Sequence, residues 1–156
     1  MKELFEYREK LLARLRKATG EICDAFKSFA DPFAVVDGEW TVHQVAFHLR
    51  GIDHEVYGMR IRRTLSEDNP EFKNFDPEGW MAANYNRDEP MENILNEFSA
   101  SMNEVCDLLN AMPQSGWSRL STHEALGKEL TLQLWTERGL AHIEEHLKAL
   151  KNAQNV

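Results

Sequence analysis

Apolar residues recur at three- and four-residue steps in four long stretches, with charged residues filling the positions between them. In the first stretch Leu4, Leu11, Leu15, Ala18, Ile22, Phe26 and Phe29 mark one face, predicting a helix over 2–29 that Asp31-Pro32 stops. A second helix begins after Trp40, where Thr41 and Gln44 have the spacing of a capping box. Val42, Val45, Leu49, Ile52, Val56 and Met59 form its stripe, until the run from Ser66 to Pro70 turns polar. A third starts near Asp88 with Pro90 in its first turn, where a missing N–H costs nothing. Met91, Ile94, Leu95, Phe98, Met102, Val105, Leu109 and Met112 face inward from it, and Pro113 ends it. A fourth runs from about Thr131 to the C-terminal tail. No segment keeps a period of two, so no sheet is required. The pattern predicts an all-α fold, a four-helix bundle occupying residues 1–156 as a single domain.

The connections are uneven. The link from about Glu67 to Arg87 and the link from about Pro113 to Glu129 are long for a bundle. Phe72, Phe75, Trp80 and Tyr85 lie in the first, with room for a short helix between Asp76 and Tyr85; Trp117 and His123 lie in the second. Aromatic loops of this length can cover a site or simply pack on the end of a bundle.

A net charge of −8 argues against a nucleic-acid partner, which needs a basic face. The basic residues Lys10, Arg14, Arg16 and Lys17 follow Glu3, Glu6 and Glu9, so they read as a solvated helix face. The charged N-terminus does not resemble a signal peptide, and no apolar run approaches the roughly 20 residues of a membrane span. Cys23 and Cys106 are isolated within helical patterns, as reduced core thiols would be. A cytoplasmic protein without a membrane partner is the expectation.

His142 and His146, one helical turn apart, interrupt the predicted apolar stripe of the fourth helix. At about 100° per residue they share a face with Leu132, Trp135, Gly139 and Leu150, near its centre. Buried imidazoles need partners for their ring nitrogens, and a shared metal ion supplies them. On the second helix the same count turns His43 and His54 away from the stripe, toward solvent, and puts His48 about 70° from the stripe centre, on its flank. His123 lies in a loop and its position is open. The expected ligands are therefore His48, His142 and His146, a catalytic-type set that leaves positions free. The set does not choose one metal: Zn or Ni come first, and Fe or Mn fit the same donors.

Other metal motifs fail. No histidine has an acid three residues before it, as di-iron bundles need. His142-Ile-Glu-Glu-His146 matches the inverted zinc-protease string but has only a short tail beyond it for a further ligand. Three charged residues are candidates for the chemistry itself. Glu145 projects about 100° from the stripe centre and could orient a ligand or act as a base. Glu55 lies two turns beyond His48, with a salt bridge to Arg62 as its structural alternative, and Arg138 could hold an anionic substrate or pair with a carboxylate.

The run Trp40-Thr41-Val42-His43-Gln44-Val45-Ala46-Phe47-His48-Leu49, the run Gly127-Lys128-Glu129-Leu130-Thr131-Leu132 and the final His142-x-x-x-His146 occur in this order along nearly the whole chain. In this combination the sequence resembles the DinB-like (DinB/YfiT) superfamily of four-helix bundles. The resemblance implies an up-up-down-down bundle, a homodimer, and a divalent metal on three histidines, which map to His48, His142 and His146. It also implies a metal-dependent thiol S-transferase using a low-molecular-weight thiol, or a hydrolase, acting on a small electrophile. Thiol transfer stands ahead of hydrolysis on the resemblance alone. The alternative from another class is a metal-stabilised helical binding module that catalyses nothing.

Overall fold

Thr41 both closes a strand and starts a helix. Its hydroxyl accepts from the Gln44 amide at 3.1 Å while its own N–H donates to Gln44 Oε1 at 2.9 Å, so the capping box is formed on both sides. The computed structural model describes residues 1–154. Its bundle consists of α1 (Lys2–Lys27), a long second helix, α5 (Met91–Ala111) and α6 (Leu132–Gln154). The second helix has three parts: α2 (Val42–Ile52), a π turn (Asp53–Tyr57) in which Gly58 N–H reaches back to the Asp53 carbonyl, and α3 (Gly58–Ser66). Pro90 lies just before α5 rather than within its first turn, and α1 stops two residues short of the expected end.

Both α5 and α6 pack against α1, and the long second helix packs against the same two from the other side. Cross-links give the directions. Arg8 meets Gln133 and Arg14 meets Glu144, so α1 and α6 are parallel; Arg16 meets Asp107, so α5 opposes α1. Arg50 meets Glu97 and Arg62 meets Glu104, so the second helix runs with α5. Read around the bundle from α6, the sequence is up-up-down-down; in chain order the senses run up, down, down, up. Leu15, Ile22, Phe26, Leu49, Ile94, Phe98, Leu109, Leu132, Trp135 and Leu150 fill the interior at no more than 2 % exposure, which fixes one face of every helix. Among the described residues no helix is long and apolar enough to cross a membrane, and Cys23 and Cys106 are buried free thiols.

Short strands, which the periodicity does not require, accompany the bundle. An antiparallel hairpin of β1 (Val35–Asp37) and β2 (Trp40–Thr41) precedes α2, its turn taken by Gly38 at φ +57°. The two long links meet in a three-stranded sheet, where β3 (Glu71–Phe72) lies parallel to β4 (Leu120–His123), and β4 antiparallel to β5 (Gly127–Thr131). Strands of two to five residues are too short for alternation to register. The anticipated short helix is α4 (Pro77–Asn84), capped by Asp76 Oδ1 accepting from Gly79 N–H at 3.1 Å. Its Trp80 lies over Gly51 of α2, where a Cβ would collide with the indole.

Candidate metal centre

The helices α2 and α6 run antiparallel, and His48 on one meets the histidine pair on the other. His142 Nε2 lies 3.2 Å from His48 Nε2 and 3.1 Å from His146 Nε2. One ligand atom from each of the three falls within 4.8 Å of the other two. The pair is not at the centre of the buried stripe as expected: that line runs through Gly139, Ile143 and Leu147, and the two half-buried imidazoles stand beside it, facing the α2 side. Gly139 leaves room for Tyr57, whose ring centroid is 5.7 Å from that of His142.

Protons alone do not satisfy this cluster. His146 Nδ1 lies 3.2 Å from Asp37 Oδ2. A carboxylate only accepts, so Nδ1 carries the proton and Nε2 presents a lone pair. If His142 Nε2 bears a proton it can donate to His146, but then His48 must carry its own proton on Nδ1, a buried atom with no partner among the described residues; if it does not, it meets the His146 lone pair directly. A divalent cation removes the conflict, and the carboxylate on the far nitrogen of a ligating histidine is the arrangement that orients such a ligand. Burial, reinforced by the neighbouring imidazoles, lowers His48 to about 4 and His142 to about 3, so both are neutral donors at pH 7. The buried Nδ1 of His48 has no partner among the described residues.

Two clefts open onto the three imidazoles. One, of about 320 Å³, runs from His48 and His142 past Tyr57 and Phe75 to Arg60, His123 and Arg138. The other opens beside His48 and His146 and is edged by Asp37, Glu39, Trp40 and Glu78.

The remaining sequence candidates separate clearly. Arg138 is exposed and lines the first cleft beside His142. Glu145 and Glu55 are exposed and line neither cleft. Glu55 does not pair with Arg62, which bonds instead to Glu104 and Ser101. His54 is exposed as expected. His43 is not: it is 2 % exposed, with Nδ1 2.7 Å from the Tyr85 hydroxyl and Nε2 2.7 Å from the Glu89 carbonyl. The link after α4 folds back over that side of α2, which a count of helical phase cannot register. His123 is placed on β4, buried, its Nδ1 accepting from the Ala125 and Leu126 N–H groups at 3.1 Å.

Two residues at the site escape the sequence reading. Asp37 had a usable signal: Asp37-Gly38 between Val35-Val36 and Trp40-Thr41 is hairpin chemistry, and the hairpin brings it to His146. Arg60 had none, because its approach to the cleft depends on the π turn.

A family model for the DinB superfamily matches residues 3–150. A protein of Oceanobacillus iheyensis bearing the name "Putative metal-dependent hydrolase" is 30% identical over 112 residues, 68% of this chain and 64% of that protein. One of Geobacillus thermodenitrificans with the same name is 28% identical over 110 residues, 70% of this chain and 61% of the relative. The chain thus spans less than two thirds of the length of these curated relatives. The fold matches the solved structure of YfiT from Bacillus subtilis, described as a probable metal-dependent hydrolase with an unusual four-helix bundle topology. That match has a TM-score of 0.82 at 19% identity and covers 96% of this chain and 87% of the other.

Proposed function

This chain belongs to the DinB superfamily, and from that premise we propose that His48, His142 and His146 hold a divalent cation at the centre of an active site. The reaction is attack on a small electrophile, by transfer of a low-molecular-weight thiol or by hydrolysis. The observation that carries this reading is the convergence of three Nε2 atoms whose protons and lone pairs cannot be matched without a cation. A cation there supplies Lewis acidity, polarising a carbonyl or making a thiol or water more acidic.

The protein's own residues do the rest. Burial keeps His48 and His142 uncharged and available as donors. Asp37 fixes the tautomer and ring orientation of His146. Ile52, Val56, Tyr57, Phe75 and Leu126 give the first cleft apolar walls that exclude water and seat the non-reacting part of a substrate. The two clefts share His48, which gives two substrates separate approaches to one centre. That favours group transfer between a thiol and an electrophile. The names of the curated relatives support hydrolysis as the other outcome.

The test uses protein stripped with chelator and reloaded with Zn or Ni. Turnover is followed with cysteine or glutathione plus a fluorogenic electrophile, and separately with p-nitrophenyl acetate. Metal-dependent turnover in one assay, abolished by His142→Ala, is the expected result. Full metal occupancy with no turnover in either assay would leave a binding module, and failure to take up metal would remove the centre itself.

A further inference from the structure

In a chain of net charge −8, the cleft beside His142 is lined by no carboxylate and by two arginines. Arg14, Arg16, Arg50, Arg62, Arg63 and Arg119 each lie within ion-pair distance of an acid. Among the described residues Arg8, Arg60, Arg87 and Arg138 have no such partner; Arg8 bonds to Gln133 and Gln114 and Arg87 lies over the Phe33 ring, whereas Arg60 and Arg138 both line the cleft. Arg60 is 5 % exposed and held over the Trp135 ring at 4.7 Å. Its Nη2 donates to the Lys73 carbonyl at 3.1 Å, and its buried Nε has no partner.

His123 adds to the excess of donors. Its Nδ1 accepts two backbone N–H groups, which leaves the proton on Nε2, 3.3 Å from Arg60 Nη2. That N–H meets the guanidinium of Arg60, another donor, so two side chains with protons to donate face one another at the cleft wall. Burial and the nearby Arg138 lower the pKa of the Arg60 guanidinium, a strain that a counter-anion in the cleft would relieve. An unpaired buried guanidinium is costly, and a planar fork of N–H donors matches the oxygens of a carboxylate or phosphate.

We propose that this cleft binds a carboxylate or phosphoryl group of the substrate through Arg60 and Arg138, with His142 at its reactive end. The acidic rim of the opposite cleft, formed by Asp37, Glu39 and Glu78, turns an anion away from that side and so orients it. As a statement about substrate choice this rests on the metal-centred reading; as a statement about anion binding it does not.

Chelator-stripped protein is titrated with sodium succinate and, separately, with inorganic phosphate, at constant ionic strength held with sodium chloride. Melting temperature and tryptophan fluorescence are followed. A saturable response to one or both anions is expected, the choice between them separating carboxylate from phosphoryl recognition. Arg138→Gln, at an exposed position that leaves folding intact, weakens it about tenfold or more. Arg60→Lys, which keeps the charge and loses the fork, weakens it as well. No saturable response in the wild type, or one unchanged in both variants, overturns the proposal. Metal uptake is measured on the same preparations. Anion binding without metal uptake would remove only the metal-centred reading, and metal uptake without anion binding would remove only this one.

Discussion

Asp37 stands on a three-residue strand and is bonded to a histidine 109 positions later, at 3.2 Å. Orienting carboxylates of this kind change metal affinity more than they change the fold. Asp37→Asn is expected to weaken metal binding about 10- to 100-fold, read by competition with a chromophoric chelator, while the far-UV circular dichroism stays unchanged. A second cluster acts on stability alone. Arg50, largely buried, donates to Glu89 Oε1 at 2.7 Å, and Glu89 in turn offers its backbone carbonyl to His43. The Arg50 bond holds the Glu89 carboxyl below its ordinary value. A carboxyl lowered on folding stabilises the native state fully above the ordinary carboxylate range and loses that contribution as pH falls through the lowered native value. The urea midpoint of the wild type should therefore fall in acid more steeply than that of Glu89→Gln, and parallel slopes would refute the assignment. The metal-centre histidines could be found from residues because all three sit on long helices with a clear phase. His43 was misplaced by the same count, since its burial comes from Tyr85 and Glu89, distant in sequence.

The long second helix carries one residue more than a regular helix would. On an uninterrupted helix at about 100° per residue, Arg60 would stand about 120° from His48; the extra residue of the π turn removes roughly one step of rotation and leaves about 20°. Both side chains consequently line one cleft. The apolar pattern runs through Ile52 and Val56 without a visible break, so the sequence holds no mark of the shift. The hairpin that delivers Asp37 was readable from its turn residues; the three-stranded sheet, with two residues in β3, was not. Packing between elements gives a test at this scale. A Cβ on Gly51 would strike the Trp80 indole that joins α4 to α2. Gly51→Ala is expected to destabilise by about 1–3 kcal/mol in a urea titration, despite the gain of about 1 kcal/mol in helix propensity. A stabilised variant would mean that α4 is not fixed where it lies.

For the whole molecule, the four helices and their inward faces follow from periodicity, whereas the senses of the helices depend on how the long links cross the bundle. Metal should register as a global property. A divalent cation at about 100 times its dissociation constant should add about 2.7 kcal/mol to wild-type stability, seen as a rise in melting temperature that chelator reverses. His142→Ala should show no such rise. His48 and His142 are 94 residues apart, and a cation bridging them would close the chain into a ring. That ring encloses α3, α4, α5 and the three-stranded sheet but leaves α1 outside it. Hydrogen exchange should reveal the asymmetry: openings that part α2 from α6 must first break the ring, so their amides slow when metal is added, while α1 can peel away at its own rate with the ring intact.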